Sequence, residues 1–182
     1  MEWHTGRLLV ASPALDDPNF ERAVIFVLDH DEDGAVGIVL NRASSVPIRE
    51  TVGDWVELAA DPPVVFGGGP VEPTAVVALG AASGPGAGGV VPILERIQLV
   101  DLDADPKLAA VDLERVRVFA GYAGWAPEQL ETEIAQGAWF PVDAEPGDVF
   151  TDDPDGLWHA VLRRQRGELK LLATYPPDPS LN

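Results

Sequence analysis

Apolar residues in this chain fall in short, dense runs, a pattern typical of strands more than of helices. Leu8-Leu9-Val10-Ala11 predicts a first strand, ended by Ser12-Pro13. Ala23 to Leu28 and Ala35 to Leu40 are rich in β-branched residues, so each predicts a strand buried on both faces. Asp29 to Gly34, between them, predicts the turn of a hairpin. Further strands are predicted at Val64 to Phe66, Ala75 to Leu79, Ile93 to Val100, Val116 to Ala120 and, closing the chain, Leu169 to Ala173. Helical spacing is rarer. Ile48, Val52, Trp55 and Ala59 recur by four, three and four, which predicts one helix capped by Ser44 or Ser45 and stopped by Asp61-Pro62-Pro63. Asp105-Pro106 opens a short helix through Val111, and Asp152-Asp153-Pro154 precedes one carrying Leu157, Trp158, Val161 and Leu162.

The chain is organised around Gly121-Tyr122-Ala123-Gly124-Trp125-Ala126-Pro127 and the residues to Phe140. Here the pattern predicts the end of a strand, a glycine-hinged corner, a helix started by Pro127 and stopped by Gly137, then Ala138-Trp139-Phe140. Leu130 and Ile134 share one face of that helix. Pro141 to Gly147 is connection, and the proline-rich tail from Tyr175 to Asn182 predicts no regular structure.

At 182 residues, 46% of them apolar, one domain spanning 1–182 with a packed core is expected. Twelve basic against thirty acidic side chains give a net charge of −18, a field that repels phosphate backbones and makes DNA an unfavourable direct partner. Arg163, Arg164 and Arg166 form the only basic cluster and read as a solvated helix end. Without cysteine there are no disulfides, thiol nucleophiles or thiolate metal sites. Pro73 to Leu94 lacks charge over a membrane-spanning length, but its prolines and the glycine-rich 84–89 centre fit strand, loop and strand instead. With no leader pattern in the first residues, a soluble, cytoplasmic protein without membrane contact is expected.

Several segments taken in order resemble the YqgE/AlgH family: Gly6 to Ala11, Gly37-Ile38-Val39-Leu40-Asn41-Arg42, Gly68-Gly69-Pro70-Val71, Gly121 to Trp125 with Gln129-Leu130-Glu131 and Glu133, and terminal Ser180-Leu181-Asn182. The resemblance runs from about residue 6 to the C-terminus. It implies an α+β fold whose twisted, bifurcated mixed sheet bends into a pseudo-barrel with helices packed outside. It implies no particular reaction, although one branch is described as regulating transcription. Ala43 stands where a proline commonly follows Asn-Arg in that family.

Candidate chemistry is sparse. Asp29-His30-Asp31-Glu32-Asp33-Gly34 matches the first half of a calcium loop, but Leu40 occupies the place of the bidentate glutamate, so an acidic turn is favoured and no metal is expected. Gly67-Gly68-Gly69-Pro70 and Gly121 to Gly124 follow strands as phosphate cradles do, yet neither ends in the Gly-Lys-Ser/Thr of a nucleotide loop. His4, His30 and His159 show no ligand spacing, and no cofactor is called for. Gln129 and Glu133 lie one turn apart, and Arg42 is their natural partner through a bidentate guanidinium. Asn41, Arg42, Trp125, Gln129 and Glu133 are therefore the candidate ligand-binding residues, with a closed structural clamp preferred to a pocket. The expected function is non-enzymatic binding or regulation through a protein partner. A small-ligand site or hydrolase at Trp125, and a DNA-binding regulator, are the alternatives.

Overall fold

The computed structural model describes residues 2–84 and 92–176. Most of the 84–89 glycine loop and the tail beyond Pro176, with Ser180-Leu181-Asn182, lie outside them. The described residues form nine strands: β1 (Arg7–Ala11), β2 (Val24–Asp31), β3 (Gly34–Val39), β4 (Ala43–Pro47), β5 (Val64–Gly67), β6 (Val71–Ala82), β7 (Ile97–Leu99), β8 (Leu113–Trp125) and β9 (Trp139–Asp143). The helices are α1 (Ile48–Thr51), α2 (Pro106–Ala109), α3 (Gln129–Ala135), α4 (Pro146–Val149), α5 (Leu157–Arg163) and α6 (Glu168–Leu172), with a 3-10 helix at Gly53–Leu58.

The strands form one mixed sheet in the order β4-β5-β8-β3-β2-β1-β9, with β6 and β7 branching off β8. Among the described strands only the β5–β8 pair is parallel. The branch lies in the 13-residue β8, whose last residues, Ala123 to Trp125, pair with β3 while Leu113 to Tyr122 pair with β6. The mixed sheet is as expected; the closed shape is not. Along the strand order β4 and β9 are unpaired ends, so the described strands do not close into a barrel, and α3 and α5, of seven residues each, are the longest α-helices described.

Other differences have local causes. Ser44 and Ser45 belong to β4 and cap nothing; α1 ends at Thr51, and a tighter 3-10 turn from Gly53 carries Trp55 inward. Gly121 to Trp125 are strand residues, so the corner falls later, at Ala126 to Glu128, and α3 starts two residues beyond Pro127 with Glu128 left-handed at φ 63°. The predicted Ile93–Val100 strand is broken at Glu95 (φ 42°), and Ile97 turns back on Leu94. Leu169 to Ala173 lies in and just past helix α6 because, with no strand paired to it among the described residues, helical turns satisfy its backbone locally. Asp29 to Asp31 continue β2, shrinking the acidic turn to Glu32-Asp33, and β9 runs on through Pro141 to Asp143.

Three clusters make the core. One packs α5 residues Leu157, Trp158, Val161 and Leu162 against Leu8, Val10 and Phe26. A second gathers Trp125, Leu130 and Trp139 over Ile25 and Ala35, and the third surrounds Trp55. Phe66 and Phe119, paired edge to face, belong to the first.

Candidate functional site

The chain leaves β3 at Val39 and carries Asn41 into the interior, where only 6% of it is exposed. A buried amide must use its hydrogen bonds, and Asn41 does: its Oδ1 accepts from Val24 N at 2.9 Å and its Nδ2 donates to Arg22 O at 2.8 Å. These bonds fasten the entry to β2. They hold Arg22 in the left-handed region at φ 51°, a conformation that costs a non-glycine residue about 1–3 kcal/mol. The strained backbone aims the Arg22 guanidinium over the Trp158 ring, 4.8 Å from its centre. Trp158 is fixed in turn by its Nε1 donating to Ala11 O at 2.9 Å.

Arg42 approaches from the other side, donating through Nη1 to Asn41 O at 3.4 Å and through Nη2 to Glu21 O. Between the two arginines lies a cavity of about 520 Å³, also lined by Glu21, Asp155, Trp158 and His159. A smaller hollow of about 250 Å³, against Asn19, Gly67 and Pro70, touches the far side of Arg42. Burial holds the Arg42 guanidinium below its usual value, opposed in part by Glu21 and Asp155. Among the described residues neither arginine forms an ion pair, and Arg22 Nη1 is shielded from solvent with no hydrogen-bond partner.

Trp125, Gln129 and Glu133 are elsewhere. Glu133 Oε2 accepts from Trp125 Nε1 at 2.9 Å and from Trp139 Nε1 at 2.8 Å, while its Oε1 accepts from Gln129 Nε2 at 2.8 Å. Gln129 Oε1 accepts from Ala126 N at 3.0 Å. The expected clamp between Arg42 and the Gln129–Glu133 pair is not formed: Gln129 and Glu133 do meet, but tryptophans take the place assigned to Arg42, which shares no hydrogen bond or ion pair with Glu133. The five candidates thus separate into a cavity pair, Asn41 and Arg42, and a joint whose polar atoms are spent on one another. The glycine stretches are spent as well. Gly67 N donates to Arg42 O at 2.7 Å and Gly68 N to Ala120 O at 2.8 Å, and a β-carbon on Gly68 would run into the Gly121 carbonyl.

Sequence reasoning missed three features. Arg22 carried no signal, since nothing local announces a left-handed arginine. Arg117, a charged residue within the strand predicted at Val116 to Ala120, is 2% exposed; its Nη1 donates to Thr151 O at 2.6 Å, its Nη2 to Asp61 O, and it lies over the Phe66 ring at 4.2 Å. Burial, then Arg115, pushes its pKa down to about 10, so it stays charged at neutral pH. His4 and His30, 26 positions apart, stack with ring centres 5.5 Å apart. His30 Nδ1 accepts from His4 N at 3.2 Å, which leaves the Nε2 proton to be donated to Glu131 Oε1 at 3.2 Å. Among the described residues no group of three or more His, Cys, Asp or Glu is placed to hold a metal ion, and no helix is long and apolar enough to cross a membrane.

A family model described as AlgH-like matches residues 8–170. The chain belongs to the AlgH-like family. It is 53% identical over 183 residues to a UPF0301 protein of Streptomyces coelicolor, and 55% identical over 185 residues to one of Streptomyces avermitilis, each match covering 98% of this chain and 95% of the relative. Among solved structures, a Corynebacterium diphtheriae protein superposes with a TM-score of 0.87 at 33% identity, covering 96% of this chain and 94% of that one. The solution structure of the AlgH protein from Pseudomonas aeruginosa gives 0.66 at 28% identity, covering 96% and 95%. Asn41-Arg42 and the Trp125–Glu133 joint both lie inside the stretch matched by the AlgH-like model.

Proposed function

We propose that this AlgH-like chain is a non-enzymatic binding protein whose Arg22–Arg42 cavity receives an anionic group, a carboxylate or a phosphate, carried by a small ligand or a protein partner. The observation that carries this is that Arg22 and Arg42, neither of them in an ion pair among the described residues, line one cavity together. An anion bridging the two guanidiniums gains charge-assisted hydrogen bonds from both, stronger than those between neutral groups. About 520 Å³ suits a small metabolite or a chain terminus. The net charge of −18 does not outweigh this, because distant carboxylates are screened beyond about 8 Å at physiological salt. Glu21 and Asp155 oppose the anion locally, and they favour a ligand that also carries a donor such as a hydroxyl or an amine. Any regulatory role would run through such contacts and not through DNA, an extended polyanion that brings many phosphates within the screening length of the surface carboxylates.

Calorimetry and amide chemical shifts on the whole chain test this with inorganic phosphate, a dicarboxylate panel and short peptides with free or amidated C-termini. Saturable shifts confined to residues 18–22, 41–42 and 155–159, lost in Arg42→Ala, support the site. A free-acid peptide binding while its amide does not identifies a protein terminus; phosphate or dicarboxylate binding alone identifies a small ligand. Flat titrations with every probe, or undiminished binding by Arg42→Ala, overturn it.

A further inference from the structure

Two hollows, one of about 520 Å³ along the 3-10 helix and α2 and one of about 530 Å³ over β6 and β7, adjoin at Asp103, and together they are called the trough. None of its residues lines the Arg22–Arg42 cavity. One wall is the 3-10 helix with α2, and the floor is apolar, with Leu99 50% exposed on β7 and Val76 44% exposed on β6. Trp55, buried beneath the 3-10 helix, donates its Nε1 to Leu102 O at 3.0 Å, which ties that helix to the segment after β7.

The rim is acidic. Among the residues lining the two hollows, Asp54, Glu57, Asp101, Asp103 and Asp105 are acidic and Lys107 is the one basic residue. Asp101 and Asp105 accept local backbone N–H bonds, whereas the side chains of Asp54, Glu57 and Asp103 have neither a hydrogen bond nor an ion pair among the described residues. An exposed apolar floor under unpaired carboxylates calls for an occupant apolar on one side and cationic at its margins. A second copy of this chain does not fit, since it would set one acidic rim against another. A lone cation does not fit either, because it would leave the floor in water.

We infer that this trough docks a cationic amphipathic segment of a partner protein, with apolar side chains on Val76 and Leu99 and Lys or Arg side chains on Asp54, Glu57 and Asp103.

The test uses the whole chain and a synthetic Leu/Lys peptide of about 14 residues, patterned at the helical period. The controls are a scrambled peptide of the same composition, an oligolysine and Ca²⁺ alone. The patterned peptide is expected to shift the amides around Val76, Leu99 and Asp103 and to bind about tenfold more tightly than the scramble. The triple variant Asp54→Asn, Glu57→Gln, Asp103→Asn, and separately Leu99→Ser, should each weaken it by about tenfold, with unchanged circular dichroism showing that these exposed positions leave the fold intact. Oligolysine or the scramble binding equally well, Ca²⁺ producing the same shifts, shifts located elsewhere, or concentration-dependent self-association through the same residues would each overturn it.

Discussion

Trp125 and Trp139 meet edge to face with ring centres 5.9 Å apart, and both indole N–H groups end on the same oxygen of Glu133. One residue closes β8, the other opens β9, and the carboxylate between them comes from α3. The joint therefore couples three elements through a single side chain. Both rings are almost wholly buried, so neither N–H has water as a substitute.

Glu133→Ala orphans both donors. Hydrogen bonds to a charged acceptor contribute about 1.5–3 kcal/mol each, so a loss of about 3–6 kcal/mol is expected in urea unfolding. Glu133→Gln keeps one acceptor oxygen and should lose less, about 1–2 kcal/mol. Equal stability of all three proteins would show that the joint does not hold the elements together.

Arg117→Met removes a buried cation but leaves the carbonyls of Thr151 and Asp61 without their donor. Relief of the buried charge offsets part of the cost. Two unpaired carbonyls still outweigh it, so a net loss of about 2–4 kcal/mol is expected by denaturant titration. Arg117→Lys cannot span both carbonyls with a planar fork and should fall between the two. A Met variant as stable as the parent would mean that this arginine is tolerated and not needed.

His4 sets a pH dependence. Burial, followed by Arg7 and His30, holds its imidazole below the ordinary 6.5, with Glu2 and Glu131 opposing. The unfolded chain thus takes up the proton first. Stability from this group is whole above pH 6.5 and is lost as the pH falls through the lower folded value. Melting temperatures between pH 7 and pH 5 should drop less steeply in His4→Gln than in the parent. Parallel slopes would assign the pH dependence to other groups.

Arg22→Gly separates folding from binding. Glycine adopts φ 51° without strain, a gain of about 1 kcal/mol, while loss of the cation over Trp158 costs about 0.5–2 kcal/mol. Stability should therefore stay within about 1 kcal/mol of the parent while anion binding is lost. Retained binding would place the recognition on Arg42 alone.

Much of the fold was legible. The runs at Leu8, Ala23 and Ala35 are β1, β2 and β3, because dense apolar stretches have to be buried on both faces wherever they lie. Asp105 does cap α2 through Lys107 N, and Gly137 does follow α3 at φ 76°, since both signals act within one turn. The failures share a cause. Ile48 to Ala59 has a helical face and becomes two short pieces, and Leu169 to Ala173 reads as strand and falls in and just past a helix, because the neighbours that decide each are far away in sequence.

The candidate site divides along the same line. Asn41 and Arg42 were found because they follow a readable strand, and Gln129 and Glu133 because a helix turn relates them. Their partners were not readable. Glu133 goes to two indoles, and Arg42 goes to a cavity shared with Arg22, Trp158 and His159, contributed by the loop before β2 and by α5.

By itself the sequence determined which segments must be buried, where several of them stop, and that the chain as a whole carries negative charge. Only the tertiary structure decided which buried polar group meets which, because a hydrogen bond a few ångströms long depends on how strands and helices distant in the chain are brought together.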